Sequence, residues 1–158
     1  MAKKKKQTFE VGDYFTIPLT GGKYAIGQIV GVEPDALNSV ICALFSQQRN
    51  FVPTSNNQDL ADSDLVSVLF VTPDLLKSGD WCVVSHGQPF NVAPYIDVDA
   101  LRDVGFVGVR VIGSWIVTKL LEAYFGLYPW NGFADPDYFD KLLVSEDRKP
   151  SIIKLVEK

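Results

Sequence analysis

Before about Gly113 the apolar residues of this chain fall in short strand-like stretches, alternating or continuous and separated by turns, and from Ser114 onward they take helical spacing. Side chains return to one face every two residues on a strand, and every three or four on a helix. The change of period divides the chain into a β-rich front and a helical last third. It predicts an α+β domain: a strongly bent antiparallel sheet, or a partly open small barrel, of about six strands with two C-terminal helices packed on it.

The front reads strand by strand. TFEVGDYFTIPL alternates, with Phe9, Val11, Phe15 and Ile17 near one face. Thr20-Gly21-Gly22 is a hairpin turn, since glycine supplies positive φ at no steric cost. KYAIGQIVGVE returns, and Gly27 and Gly31 suggest a bend or bulge. SVICALFSQ is apolar throughout and reads as a central strand. FVPTSNNQDLADSD is polar and reads as an exposed loop, followed by the strand LVSVLFV. TPDLLKSG predicts a short helix with Thr72 as N-cap, Pro73 and Asp74 in its first turn and Gly79 closing it. WCVVSH and GFVGVRVIG read as two more strands, with a helical turn over DALRD between them.

In SWIVTKLLEAYFG the apolar positions 116, 117, 120, 121, 124 and 125 form one stripe, with Ser114 placed to cap it and Gly126 to end it. ADPDYFDKLL repeats that logic, with Asp135 as N-cap and Pro136 at the first helical position. SIIKLV reads as a final edge strand. The chain is expected to be one domain over residues 8–158, with residues 1–7 a disordered basic tail.

Charge narrows the partners. The chain carries −4 at neutral pH, and without Lys3–Lys6 eleven Lys and Arg face nineteen Asp and Glu. An acidic body disfavours nucleic-acid phosphate and favours a basic partner. No apolar core follows the N-terminal lysines, so they do not open a signal peptide, and no apolar run is long enough to span a membrane. Cys42 and Cys82 sit in apolar runs without CxxC spacing. They read as buried free thiols of a reducing cytoplasm.

Chemistry-bearing motifs are sparse. His86 is the single histidine, so a nucleophile–histidine catalytic set would have to run through it. Asp59, Asp62 and Asp64 are clustered acids but lack the order and terminal Glu of a calcium loop. Gly21-Gly22-Lys23 lacks the spacing of a phosphate loop. No catalytic set, metal site or cofactor is expected. Asp135 and Asp137 suit a helix N-terminus, where carboxylates accept orphan N–H groups, but they also offer an acidic face together with Asp140. Tyr128, Trp130 and Phe133 fall in the turn between the two helical segments, where rings either staple the helices together or project as anchors for a partner.

GDYFTIPLTGGKYAIGQIVG (Gly12 to Gly31) and GLYPWNGFADPDYFDKLL (Gly126 to Leu143) resemble the immunity protein 26 family of bacterial polymorphic-toxin systems, with WCVVSHGQPF a weaker match. The resemblance implies a cytoplasmic protein that binds and neutralises one cognate toxin by stoichiometric occlusion and does no chemistry of its own. Many such toxins are nucleases with basic grooves, which an acidic surface can fill. The residues expected to meet the toxin are Asp59, Asp62 and Asp64 in the polar loop, plus Tyr128 and Trp130. An alternative is a small-molecule or peptide-binding β module with a pocket lined by Trp81, Trp115 and Tyr24. An enzyme working through His86 is a third.

Overall fold

A computed structural model describes residues 6–49 and 60–156. Six strands form one sheet: β1 (Asp13–Pro18), β2 (Tyr24–Glu33), β3 (Ser39–Arg49), β4 (Leu65–Val71), β5 (Cys82–His86) and β6 (Val111–Ile112). Their spatial order is β5-β1-β2-β3-β4-β6. β1 to β5 pair antiparallel, with register shifts in β1–β5, β2–β3 and β3–β4 that bend the sheet. β6 runs parallel to β4, pairing Phe70 with Val111 and Val71 with Ile112. The sheet is therefore mixed, and it stays open: β5 and β6 are its two edges. The described residues also form three α-helices, α1 (Asp74–Ser78), α2 (Val98–Asp103) and α3 (Ser114–Tyr124), and three short 3-10 turns.

Alternation along the strands sends side chains to both faces, and both are covered. Phe15, Ile17, Ala25, Ile29, Val40, Cys42, Leu44 and Val71 meet Leu76 of α1 and Val117, Leu120 and Leu121 of α3 on one face. The other face, with Tyr14, Ile26, Ile41, Ala43, Phe45 and Phe70, is covered by residues 90–109, which include α2. A continuous apolar run such as VICALF is what a strand buried on both faces requires.

Several predicted elements are shorter than expected. The segment GFVGVRVIG contributes a strand only at Val111–Ile112, because Gly105, Phe106 and Gly108 adopt positive φ and turn the chain. Glu10 to Asp13 is a turn, closed by Asp13 N–H donating to the Glu10 carbonyl, so β1 starts at Asp13. The second C-terminal helix is a single 3-10 turn over Phe139–Leu142. Its end is tied to β4 instead: the Ser67 hydroxyl donates to the Leu142 carbonyl, and Val144 N–H donates to the Val66 carbonyl. The closing SIIKLV is not a strand. It is held by Trp130 N–H donating to the Lys154 carbonyl and Val156 N–H donating to Asn131. Cys42 is buried, which pushes its thiol up, but Cys82 is exposed because β5 is an edge strand. Lys3–Lys5 lie outside the described residues. Gln7, expected in the tail, donates to the Leu76 and Trp81 carbonyls and accepts from Val83 N–H.

α1 and α3 are joined at their starts. Ser114 N–H donates to the Thr72 hydroxyl, and the Thr72 and Ser114 hydroxyls donate to Asp74 at 2.6 and 2.7 Å. Burial pushes the Asp74 carboxyl up, but hydrogen bonds from Thr72, Ser114 and backbone N–H groups outweigh it, holding it below the usual carboxylate value. A depressed folded-state pKa gives stability that is present above the unfolded value and lost as pH falls through the folded one. Asp74→Ala is therefore expected to lower stability by about 0.5–1 kcal/mol at pH 7, with allowance for the group's exposure. Thermal melts of both proteins should converge as the pH drops below about 4.

Candidate functional site

The aromatic turn after α3 folds inward. Trp130 is 2% exposed, its ring 5.5 Å from Phe139, which also meets Phe133 at 4.9 Å and Tyr128 at 6.2 Å. The Trp130 Nε1–H donates to Asp140 at 3.0 Å, and Lys149 lies over the indole, 5.7 Å from its centroid, while pairing with Asp140. Tyr128 is half-buried, with Lys119 over its face at 5.1 Å. These rings staple the turn to α3. Asp135 accepts from Asp137 N–H and from Lys141 Nζ, and the lysine contact leads in holding its carboxyl low.

Asp62 and Asp64 form a 3-10 turn immediately before β4. Asp64 accepts from Ala61 N–H at 2.9 Å, and Asp62 is exposed. Asp59 lies outside the described residues. The structure connects this turn to the aromatic one, because Arg148 donates to the Asp62 carbonyl while Lys149 reaches Asp140 beside Trp130. Residues 139–149 are thus a strap between two stretches that lie far apart in the sequence, Asp62–Asp64 and residues 128–133. Its shallow hollow is lined by Asp137, Asp140, Leu143, Glu146 and Lys149. Asp62, Asp64, Asp137, Asp140, Glu146 and Asp147 outnumber the neighbouring cations Lys141, Arg148 and Lys149, of which Lys149 pairs with Asp140 and Arg148 with Asp147.

His86 has acidic partners that spacing did not reveal. Its Nδ1 lies 2.8 Å from Asp13 Oδ1 and 3.7 Å from Glu10 Oε1. The ring side chain is 53% exposed at the sheet edge, not at the floor of a cleft. A Cβ on Gly12 would fall 2.8 Å from the His86 ring and 2.5 Å from the Gly87 carbonyl, so glycine is required for this closure. With Gly87 N–H donating to the Gly12 carbonyl, the cluster clasps the end of β5 onto β1. The three ligand atoms lie within 4.8 Å of one another, close enough for one divalent ion.

Trp81 stacks on Phe15 in the core at 1% exposure, and Trp115 is exposed on α3. Trp81 is therefore unavailable to a pocket shared with Trp115 and Tyr24. Sequence reasoning also passed over Leu37, at 80% exposure, and Val107, at 78%. The available signal was an apolar residue at a tight turn, where glycine or asparagine is usual.

No helix among the described residues is long and apolar enough to cross a membrane. No curated protein and no solved structure matched the chain significantly. The sequence profile of Immunity protein 26 matches residues 10–97, more than half the chain. The match takes in the β1–β2 hairpin, β3, β4 and the WCVVSHGQPF stretch, and it stops before the aromatic turn. The chain belongs to the immunity protein 26 family.

Proposed function

We propose that this protein protects the cytoplasm of a toxin-producing bacterium by binding one cognate toxin domain and covering its working surface, with no chemistry of its own. Family membership carries this reading. The acidic surface is suited to a toxin with a basic groove, such as a nuclease. Asp59, Asp62 and Asp64 would draw such a groove in, since complementary charge raises association rate and selects partners more than it adds affinity. Tyr128, half-buried against Phe139, would add an aromatic contact from the turn, and Trp130, buried against the same ring, would support that turn.

Co-expression with the toxin encoded by the adjoining gene tests the proposal. Cells carrying both genes should grow, and cells carrying the toxin alone should not. Equal killing in both would remove the assignment. His86→Ala should keep full protection, because a protein that acts by covering its target does not need an imidazole base. Asp62→Asn/Asp64→Asn should slow association with an inactivated toxin by about 3–10-fold at low salt and flatten its salt dependence. Dissociation should be unchanged.

A further inference from the structure

We propose that the corner formed by the β2–β3 turn and the loop after α2 is the surface that anchors the toxin domain, taking an apolar side chain framed by lysine or arginine. This rests on the immunity reading and names the holding surface for it.

Three large apolar residues are exposed in these neighbouring stretches, Leu37, Val104 and Val107, and Val32 is exposed near the end of β2. Both loops line one hollow of about 260 Å³, with Asp35, Ala36 and Leu37 on one side and Gly105, Phe106, Val109 and Val111 on the other. Its floor is fixed. Ala36 and Phe106 are buried, and Phe106 packs edge-on against Phe70 of β4 at 5.9 Å. A concave apolar centre on a rigid support is what an anchor residue needs.

Backbone strain gathers at the same place. Leu37 (φ 56), Asn38 (φ 55) and Phe106 (φ 60) are the non-glycine residues with positive φ among the described residues, and all three belong to this corner. A leucine there is disfavoured relative to glycine or asparagine, and its side chain gains no burial in return. Strain of this kind collects where a surface is built for a partner.

Charge identifies that partner. Asp35 stands in the wall of the hollow, and Asp97, Asp99 and Asp103 are exposed along α2 and its start. Of the two cations in this region, Arg102 is engaged by Glu33 at 2.5 Å and Asp99 at 2.8 Å, and Arg110 is outnumbered. An apolar centre inside an acidic rim complements an apolar knob inside a basic one.

The experiment measures binding kinetics between this chain and the catalytically inactivated toxin domain encoded by the adjoining gene. Leu37→Asp and Val107→Asp should each raise the dissociation rate at least about 30-fold, as loss of an anchor does. Leu37→Gly should also speed dissociation, yet melt no lower than the unaltered chain, because glycine accepts the left-handed backbone. That divergence separates a binding role from a folding role. Unchanged dissociation in Leu37→Asp and Val107→Asp, with binding by the unaltered chain intact, overturns the corner while leaving the immunity function standing. A Leu37→Gly variant that loses stability along with affinity overturns it too. So does a dimer of the unaltered chain that Leu37→Asp dissociates, the occupant then being a second copy. Absence of toxin binding by the unaltered chain removes the immunity function and this surface together.

Discussion

Replacing Trp81 with alanine is expected to lower the free energy of unfolding by about 3–5 kcal/mol, the usual cost of deleting a fully buried large ring. Against a typical total of about 5–15 kcal/mol, this removes much of the stability of the domain. The indole is held from three sides. Its ring lies nearly parallel to Phe15 at 5.2 Å, with an interplanar angle of 10°. The Phe15 ring in turn lies over Gly27 of β2, where a Cβ would fall 2.5 Å from Phe15 Cζ. The backbone of Trp81 donates to Leu75 of α1 and accepts from Gln7. Residue 81 thus ties β1, α1 and the N-terminal segment together, its ring through Phe15 and its main chain through Leu75 and Gln7, and alanine keeps only the main-chain part. Urea unfolding followed by the remaining tryptophans checks the value. A loss below about 1 kcal/mol would mean that Trp81 is not the keystone of this face.

The glycine under Phe15 illustrates what could be read from the sequence. Gly27 suggests a bend or bulge, and β2 does shift register beside it, between Ala25 and Ile26. Its tighter role, clearance for an aromatic ring from β1, depends on which residue faces it across the sheet. Local signals translated well: the β1–β2 hairpin, the α3 stripe, and Gly79 at φ 84 closing α1 all follow from chemistry within a few residues. What failed was decided at a distance. ADPDYFDKLL has helical spacing, but Ser67 of β4 captures the Leu142 carbonyl that a longer helix would use. The parallel β4–β6 pairing follows from a chain path that crosses to the far edge for β5 before returning. His86 acquires Asp13 only because β5 pairs with β1, which no spacing rule anticipates. The acidic surface was legible as composition. Its continuity was not, because it depends on Arg148 and Lys149 bringing the strap against Asp62 and Asp140.

Gln28 carries the other large expected effect. It is fully buried in β2, amid Ile26 and Val30, and a polar residue in such a place must find partners. Its Nε2 donates to the carbonyls of Gly12 at 3.2 Å and Gln88 at 2.9 Å, and its Oε1 accepts from Phe90 N–H at 2.8 Å. It is the pin that fastens the start of the segment leading to α2 onto the sheet. Gln28→Ala leaves the Gly12 and Gln88 carbonyls and Phe90 N–H without that partner and opens a void in the fully buried position, an expected loss of about 2–4 kcal/mol. Gln28→Glu keeps the volume but turns a donor into an acceptor facing two carbonyls. At pH 7 it should therefore lose a similar amount, although packing is unchanged. Burial disfavours the ionised glutamate, so the deficit should grow as pH rises and shrink as the carboxyl protonates near the acid limb. A Gln28→Glu protein as stable as the unaltered chain across that range would show that the pin is volume alone. Amide exchange localises the effect: protection of Phe90 N–H should fall first, followed by α2 and the 104–109 loop. Because that loop forms one wall of the Leu37 hollow, Gln28 variants that still fold should also release the toxin faster. The sheet interior and the binding corner are then parts of one mechanical unit, joined through the covering segment that Gln28 holds.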